Sequence, residues 1–441
     1  MPQIQLRLTL TVALLLSVAV NPSRAQEVGT PPTQNKATPL HIALVVPLSG
    51  DARGAGSDLQ LGSNLAVNQT RAEFAKLGFE VSLKTFDDKM SPAVAKGAAR
   101  AILADSSTLV TVGALESEVT LMLAQQFRDD SLSKTRADTL SLIVPSPVDI
   151  ALTGPEYSNV IRIIARNDGM ARVAGQYLQK ALKAGRVLLI HDNSDDGSDA
   201  NTSIANYLKL AHIPVVGQLS TFQKGEQVDL TNTLADVKRL KPDAIALSLA
   251  NPVSSAQWVT ALRAAGIKVP IMGTVAFSDP AFVKLAAQDA VGVYYASFNA
   301  PIADSSTAPP TSPGQTNPAV PKPFLTNAYS AYASPSMPDF IRAYTAFVHR
   351  PPTASSVLGY DAMSVALEGL RSAIHIGGGK LPTRAEVARA LHGVHLENAL
   401  SGPLRFNRAG DLLESHAYVL RFDESLQAKL VSIVSVQGDP K

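Results

Sequence analysis

The sequence predicts an α/β protein of two lobes, each built on a parallel central sheet. Three observations carry that prediction. From His41 onward, short apolar runs alternate with amphipathic helical stretches, the cadence of buried parallel strands joined by helices. After residues 160–168 the cycle restarts, and a second block repeats the layout of the first without visible sequence similarity. Between 301 and 338 a proline-rich stretch breaks the rhythm, and the periodicity beyond it is different.

In the first block, strand 41–46 leads through a polar turn over 51–58 to a helix over 59–76. Strand 81–86 comes next. Ser91-Pro92 then starts a helix through about Ala104, the serine offering a capping hydroxyl and the proline losing nothing at the first helical position. Strand 109–113, helix 119–128 and a fourth parallel strand, 139–144, complete the block. In the second block, helices 170–184, 202–210, 230–240, 255–265 and 281–287 alternate with strands 186–191, 215–219, 244–249, 269–273 and 292–298. Trp258 and Leu262 share the core side of their helix. At Tyr294-Tyr295, strand alternation turns one ring toward the gap between lobes and the other inward.

Residues 301–338 hold too many prolines for a hydrogen-bond ladder and read as a surface excursion, with Tyr329 and Tyr332 docking on the body or the cleft. Helices 339–348, 356–374 and 383–391 follow, the last with Glu386 in its first turn. Strands at 402–406, 418–422 and 429–434 read as antiparallel additions to the edge of a parallel sheet. Gly377-Gly378-Gly379 is a helix terminus rather than a phosphate loop, since no strand and no Lys-Ser/Thr follow it.

Residues 1–25 have the pattern of an export signal: Arg7, the apolar run 8–20, and Ser23-Arg24-Ala25 as a small-x-small cleavage site. The run is about thirteen residues, short of the roughly twenty that span a membrane. Residues 26–40 then read as a flexible start of the mature chain. The chain has no cysteine, which excludes lipid attachment through an N-terminal cysteine, disulfides, thiolate nucleophiles and Cys-ligated metals. The expected location is the periplasm. Once Arg7 and Arg24 leave, the formal charge of +2 falls to about zero. Without a basic excess, neither nucleic acid nor an anionic membrane is an expected partner.

Ile42 to Gly50 is an apolar strand that ends in a small-residue turn and opens into a helix. An α/β lobe presents backbone N–H groups and hydroxyls to a ligand in this way. Ser117 stands at a similar strand-to-helix junction after Gly113, where it reads equally as the N-cap of helix 119–128. Metal and catalytic alternatives fail on spacing. Asp192-x-Ser194-x-Asp196-Gly197 begins like a calcium loop, but Ala200 and Ser203 occupy its ninth and twelfth places. His392 and His395 lack a third ligand. No G-x-S-x-G is present, and Glu116 and Glu118, two apart, need not face one reacting centre. No catalytic residue, metal or cofactor is expected.

Several segments act together: Ile42 to Gly50, Phe86-Asp87-Asp88 before Ser91-Pro92, Val112-Gly113 with Ser117, Val187 to Asp192 with Gly197, Pro242-Asp243-Ala244, Ile271-Met272-Gly273, and Gly402 to Phe406. On these, the chain over about 41–435 resembles the type I periplasmic solute-binding proteins, in the leucine/isoleucine/valine-binding branch attached to ABC importers. The resemblance implies two Rossmann-like lobes joined by three hinge crossovers, with the ligand cleft between them. Lobe one would comprise 41–163 and 299–400, carrying the insertion 301–338. Lobe two would comprise 164–298 and 401–441, with hinges near 162–168, 296–300 and 398–403.

It also implies the site. Ser117 matches the serine that grips an α-carboxylate together with backbone amides. In the next loop Pro147 offers a carbonyl, Val148 replaces a threonine, and Ser146 and Asp149 stand as substitutes for the lost hydroxyl. In lobe two, Asp196 replaces a tyrosine, Asn251 falls near a pocket-facing position, and Val275 stands where an acid takes the ligand ammonium. With Ser49 from the first turn, these residues form the expected site. The missing acid leaves two readings: either Asp195 or Asp196 receives a cation, or the ligand is not an α-amino acid, because an unpaired buried ammonium is costly. The implied role is that of a monomer which closes on a small solute and delivers it to the membrane permease of an ABC importer. The alternative is a sensory module that reports occupancy to a membrane receptor.

Overall fold

The computed structural model describes residues 37–128, 139–153, 157–192, 194–220, 230–298 and 335–437. The expected export signal, residues 26–36, and 299–334 with Tyr329 and Tyr332 lie outside the described residues.

The first sheet is entirely parallel. It is built from β1 (Thr38–Val46), β2 (Phe79–Asp87), β3 (Thr108–Gly113), β4 (Ser141–Val144) and β5 (Val160–Arg162), in the order β2-β1-β3-β4-β5. Its helices are α1 (Arg53–Lys76), α2 (Pro92–Ala104) and α3 (Ser117–Arg128). The middle strands are buried, as expected of a sheet covered on both faces: every residue of β3 and β4 is buried.

The second sheet collects β6 (Val187–His191), β7 (Val215–Ser220), β8 (Ala244–Ser248), β9 (Ile271–Gly273) and β10 (Tyr294–Ser297) as parallel strands. The intervening helices are α4 (Asn167–Lys180), α5 (Asp195–Leu210), α6 (Leu230–Leu240), α7 (Pro252–Ala264) and α8 (Pro280–Ala286). After α9 (Met337–Val348), α10 (Ala354–Ile376) and α11 (Arg384–His392), a small ribbon pairs β11 (His395–Leu396) with β12 (Leu404–Arg405). Then β13 (Glu414–Phe422) and β14 (Ala428–Gln437) join the edge of the second sheet antiparallel, giving the order β14-β13-β10-β9-β8-β6-β7. The parallel parts of both sheets reverse direction once, between β1 and β3 and between β6 and β8. Doubly wound sheets bind ligands at such switch points.

The structure differs from the sequence reading in five respects. Helices α1 and α5 begin at Arg53 and Asp195, several residues before the expected starts at 59 and 202. The opening residues Arg53 to Ala55 are exposed and carry no apolar period, so only the buried stretch could be read. Ser91 has N-cap backbone geometry but makes no side-chain capping bond. Val160–Arg162 forms a fifth strand where only a crossover was expected, being too short to show a period. The strand at Leu404–Arg405 pairs with β11 rather than with the large sheet, and β1 starts at Thr38, inside the expected tail.

The chain passes abruptly between the two cores. Ile163 packs in the core of the first sheet and its neighbour Ile164 in that of the second. On the return, Leu404, Phe406 and Leu412 still pack against the first core, while Ala417 and Val419 of β13 belong to the second. The final passage therefore falls near 412–414, beyond the expected 398–403. Arg162 and Asp411 tie the two passages together. The fully buried guanidinium donates through Nε and Nη2 to Asp411 Oδ1, at 3.0 and 2.7 Å. Its Nη1 donates to the Asp149 carbonyl at 2.6 Å and its Nη2 to Thr153 Oγ1 at 2.7 Å.

Helix α10 is buried on nearly all sides, with apolar residues around most of its circumference. Its few ionisable groups are paired or bonded. Asp361 accepts from the amides of Leu400 and Ser401 and from the Ser401 hydroxyl, at 3.1, 2.7 and 2.6 Å. Complete burial raises its pKa to about 6 from 3.8 despite those donors. The folded state thus holds this proton more tightly than the unfolded chain does. The stabilisation is complete below about pH 4 and is lost as pH rises through about 6, a change of about 3 kcal/mol for a shift of about two units. Asp361→Asn cannot ionise. Its stability relative to the parent is expected to rise by roughly 3 kcal/mol between pH 4 and 7, read from urea melts at the two pH values. Asp105 works in the opposite sense. Burial alone would raise its pKa, but Lys84, His41, Thr108 and the Ser107 amide hold it well below the usual range. Its contribution is therefore present above about pH 4 and lost on acidification.

Candidate functional site

A cavity of about 390 Å³ lies at the carboxyl ends of the strands, lined from both sheets. From the first sheet come Leu115 to Glu118, between β3 and α3, and Ser146 to Asp149, after β4. From the second come residues of α4 and α5 and the ends of β8, β9 and β10.

The first wall is polar. Ser117 is the first residue of α3, where the backbone amides have no partner within the helix. The cap itself comes from the preceding residue: Glu116 Oε2 accepts from the Val119 amide at 3.1 Å. Ser117 is thus not the cap that the bare sequence allows. Ser146 and Pro147 line the cavity beside it. Asp149 lines it too, but its carboxylate accepts from the Ala151 amide at 2.7 Å and its carbonyl is held by Arg162. The Val148 carbonyl accepts from the Asn167 amide at 3.0 Å, which joins this loop to the start of α4.

The second wall is mostly apolar, and Val275 stands in it at the end of β9. Its hydroxyls are engaged: Thr274 donates to the Leu249 carbonyl at 2.7 Å, and Ser194 donates to Asp192 and accepts from the Gly197 amide. Gly197 is required by close approach, because a Cβ there would lie 2.7 Å from the Ser248 carbonyl oxygen and 2.2 Å from Asp192 Oδ1. Among the described residues lining the cavity there is no lysine, arginine or histidine.

Two expected residues stand outside the lining. Ser49 donates to Asp87 Oδ2 at 2.7 Å, while Asp87 also accepts from the Leu48 and Lys89 amides. Burial pushes the Asp87 carboxyl up, but these donors outweigh it and leave the pKa lowered. Neighbouring Asp88 is raised by burial, with the charges of Asp87 and Glu116 adding, against the Met90 amide. Asn251 caps α7, accepting from the Val253 and Ser254 amides. Asp196 lies in the first turn of α5, and its side chain is outside what is described. Neither tyrosine of Tyr294-Tyr295 lines the cavity: Tyr295 is buried in the core, and Tyr294 packs on Tyr177. Sequence reasoning missed the helical wall, Ala171 and Ala174 of α4 with Ala200 and Ile204 of α5. Their helical spacing is legible, but it reads as ordinary packing.

Residues 39–427 match the model of the periplasmic binding protein family. The chain belongs to that family. It is similar to the Leu/Ile/Val-binding protein of Citrobacter freundii, 23% identical over 254 residues. That alignment covers 58% of this chain and 66% of the relative, just under two thirds. It is also similar to Leu/Ile/Val-binding protein homolog 3 of Brucella melitensis biotype 1, 23% identical over 386 residues that cover 87% and 92% of the two chains. Among solved structures, the leucine-binding protein LivK of Thermotoga maritima MSB8 superposes with a TM-score of 0.67 at 18% identity, covering 90% of this chain and 98% of that one. The solute-binding protein of R. palustris in complex with benzoate gives 0.64 at 17% identity, covering 90% and 97%. These likenesses show the fold. The periplasmic binding proteins it matches are substrate-binding proteins and not enzymes, and the branch expected from the sequence is the one they carry. Among the described residues, no helix is long and apolar enough to cross a membrane.

Proposed function

We propose that this periplasmic binding protein captures a small polar solute, an amino acid, amide or related carboxylate, and delivers it to the permease of an ABC importer. One observation carries the reading: a single cavity is walled by strand ends of both sheets, with Ser117 and Ser146 on one side and Thr274 and Val275 on the other. Among the described residues, the moving bodies are 41–163 with 335 to about 412, and 164–298 with about 414–437. The solute docks on the hydroxyls and amides around Ser117 and Ser146, and rotation at the crossovers brings the second wall over it. The periplasm is the compartment in which such a carrier works, and the monomer suffices for it.

Mass spectrometry of small molecules released on denaturing gently purified protein identifies the solute. Ser117→Ala should then weaken binding of that solute about tenfold or more in calorimetric titration, the loss of one hydrogen bond of about 1.5 kcal/mol or more to a charged group. Equal affinity would remove Ser117 from the site.

A further inference from the structure

The two bodies share one carboxylate. Asp411 lies just before the last passage, and its Oδ1 is taken by Arg162 of the same body. Its Oδ2 accepts from Thr153 and faces a second guanidinium, that of Arg166, whose Nη1 lies 3.7 Å away. Arg166 follows Ile164 and Ala165, which pack in the second core, and so belongs to the other body. At that distance the two charges attract without a hydrogen bond.

The rest of the Arg166 fork is engaged within its own body. Nε and Nη2 donate to Asp168 Oδ1 and Oδ2, at 3.1 and 3.2 Å. Arg166 is thus divided between a carboxylate of its own body and one of the other. Arg162 opposes the second contact. Burial is the largest influence lowering the Arg162 pKa, and the nearby Arg166 charge lowers it further, so the two cations compete for Asp411. Arg166 and Asp168 are each about a third exposed, which keeps either pairing weak enough for a small rotation to change the balance.

Both ends of the contact flank the cavity. Asn167, the next residue, lines it, and its amide donates to the Val148 carbonyl of the first wall. Asp149, whose carbonyl Arg162 holds, lines it from the first body. Rotation that narrows the cavity therefore carries Arg166 toward Asp411.

We propose that Arg166 is a positioning residue for closure, pairing with Asp411 across the bodies in the closed state and falling back on Asp168 in the open one. This rests on the proposed function, since it needs two bodies that move. The latch sets the ratio of closed to open protein before any solute contact is made, and the apparent affinity for solute follows that ratio.

The test reads the ratio directly. The chain has no cysteine, so Lys96→Cys on α2 and Lys284→Cys on α8, both exposed, place one spin label on each body of the full chain. Double electron–electron resonance then gives the label distances in protein stripped of small molecules and in protein saturated with the solute that copurifies. In the stripped protein, Arg166→Gln should lower the closed-to-open ratio roughly two- to fivefold, the effect of one partly exposed ion pair. Asp168→Asn should raise it by a similar factor, because it releases the guanidinium to Asp411. Arg166→Lys keeps the charge but not the fork, and should stay nearer the parent than Arg166→Gln does. A pair that only steadies the start of α4 predicts that Arg166→Gln and Asp168→Asn act alike. Shifts of the same sign, or none in either folded variant, would overturn the latch while leaving solute capture intact. If saturation leaves the label distance of the parent unchanged, the bodies do not close, and the proposed function falls with the latch.

Discussion

Asp411→Ala is expected to destabilise the protein by about 3–5 kcal/mol, the loss that follows when a buried ion pair is broken from one side. Arg162 is fully buried and remains charged without its partner. Burial is the main influence pulling its pKa down, and the Asp411 carboxylate is the main one opposing it. Thr153, which also donates to Asp411 at 2.7 Å, loses its acceptor in the same stroke. The pair joins the strand before one passage to the segment before another, so the damage reaches the cavity. Arg162 fixes the Asp149 carbonyl, and freeing it should weaken solute binding as well. Arg162→Met combined with Asp411→Leu should recover most of the stability, because replacing both charges by apolar groups removes the unpaired ion. Urea denaturation of the parent and the two variants gives the comparison. A single variant within about 1 kcal/mol of the parent would mean that water reaches the pair.

The second large effect is expected at the crossing of α1 and α10. A Cβ on Gly359 would lie 2.1 Å from the Leu59 carbonyl oxygen, and one on Gly62 would lie 2.0 Å from that of Ser356. The obstacle in each case is backbone, which cannot swing aside as a side chain does. Ser63 closes the same contact by donating to the Gly359 carbonyl at 3.0 Å. Gly359→Ala should therefore cost about 3 kcal/mol, the upper part of the range for overpacking. Gly97, in the exposed part of α2, meets nothing within 4 Å. There the same substitution should stabilise by roughly 0.4–1 kcal/mol by restricting the unfolded chain. Opposite signs in parallel denaturation curves confirm the crossing; equal signs contradict it.

Much of the fold was legible because strands β1, β3, β6 and β8 are buried on both faces and appear as continuous apolar runs. Trp258 was legible for a related reason: one helix face against a sheet leaves a periodic trace, and the ring is buried as expected. What escaped has little or no periodic signature. β5 spans only Val160–Arg162, and the first turns of α1 and α5 carry no apolar repeat. Arg162 and Asp411 are 249 positions apart, and nothing local in either segment announces the other. In the cavity, the strand-to-helix junction at Ser117 and the loop at Ser146 and Pro147 could be found because small polar residues follow a strand. Ser49 and Asn251 looked alike in sequence, but local carboxylate and amide partners claim their side chains. The alanine wall could not be separated from core packing, since a helix face looks the same whether it meets protein or a ligand.

The proposed capture requires two bodies to close over a solute held between their strand ends. Small-angle X-ray scattering of the chain, first stripped of small molecules and then saturated with the solute that copurifies, tests this most directly. A smaller radius of gyration in the saturated sample is the predicted result. An unchanged radius at calorimetric saturation would contradict it.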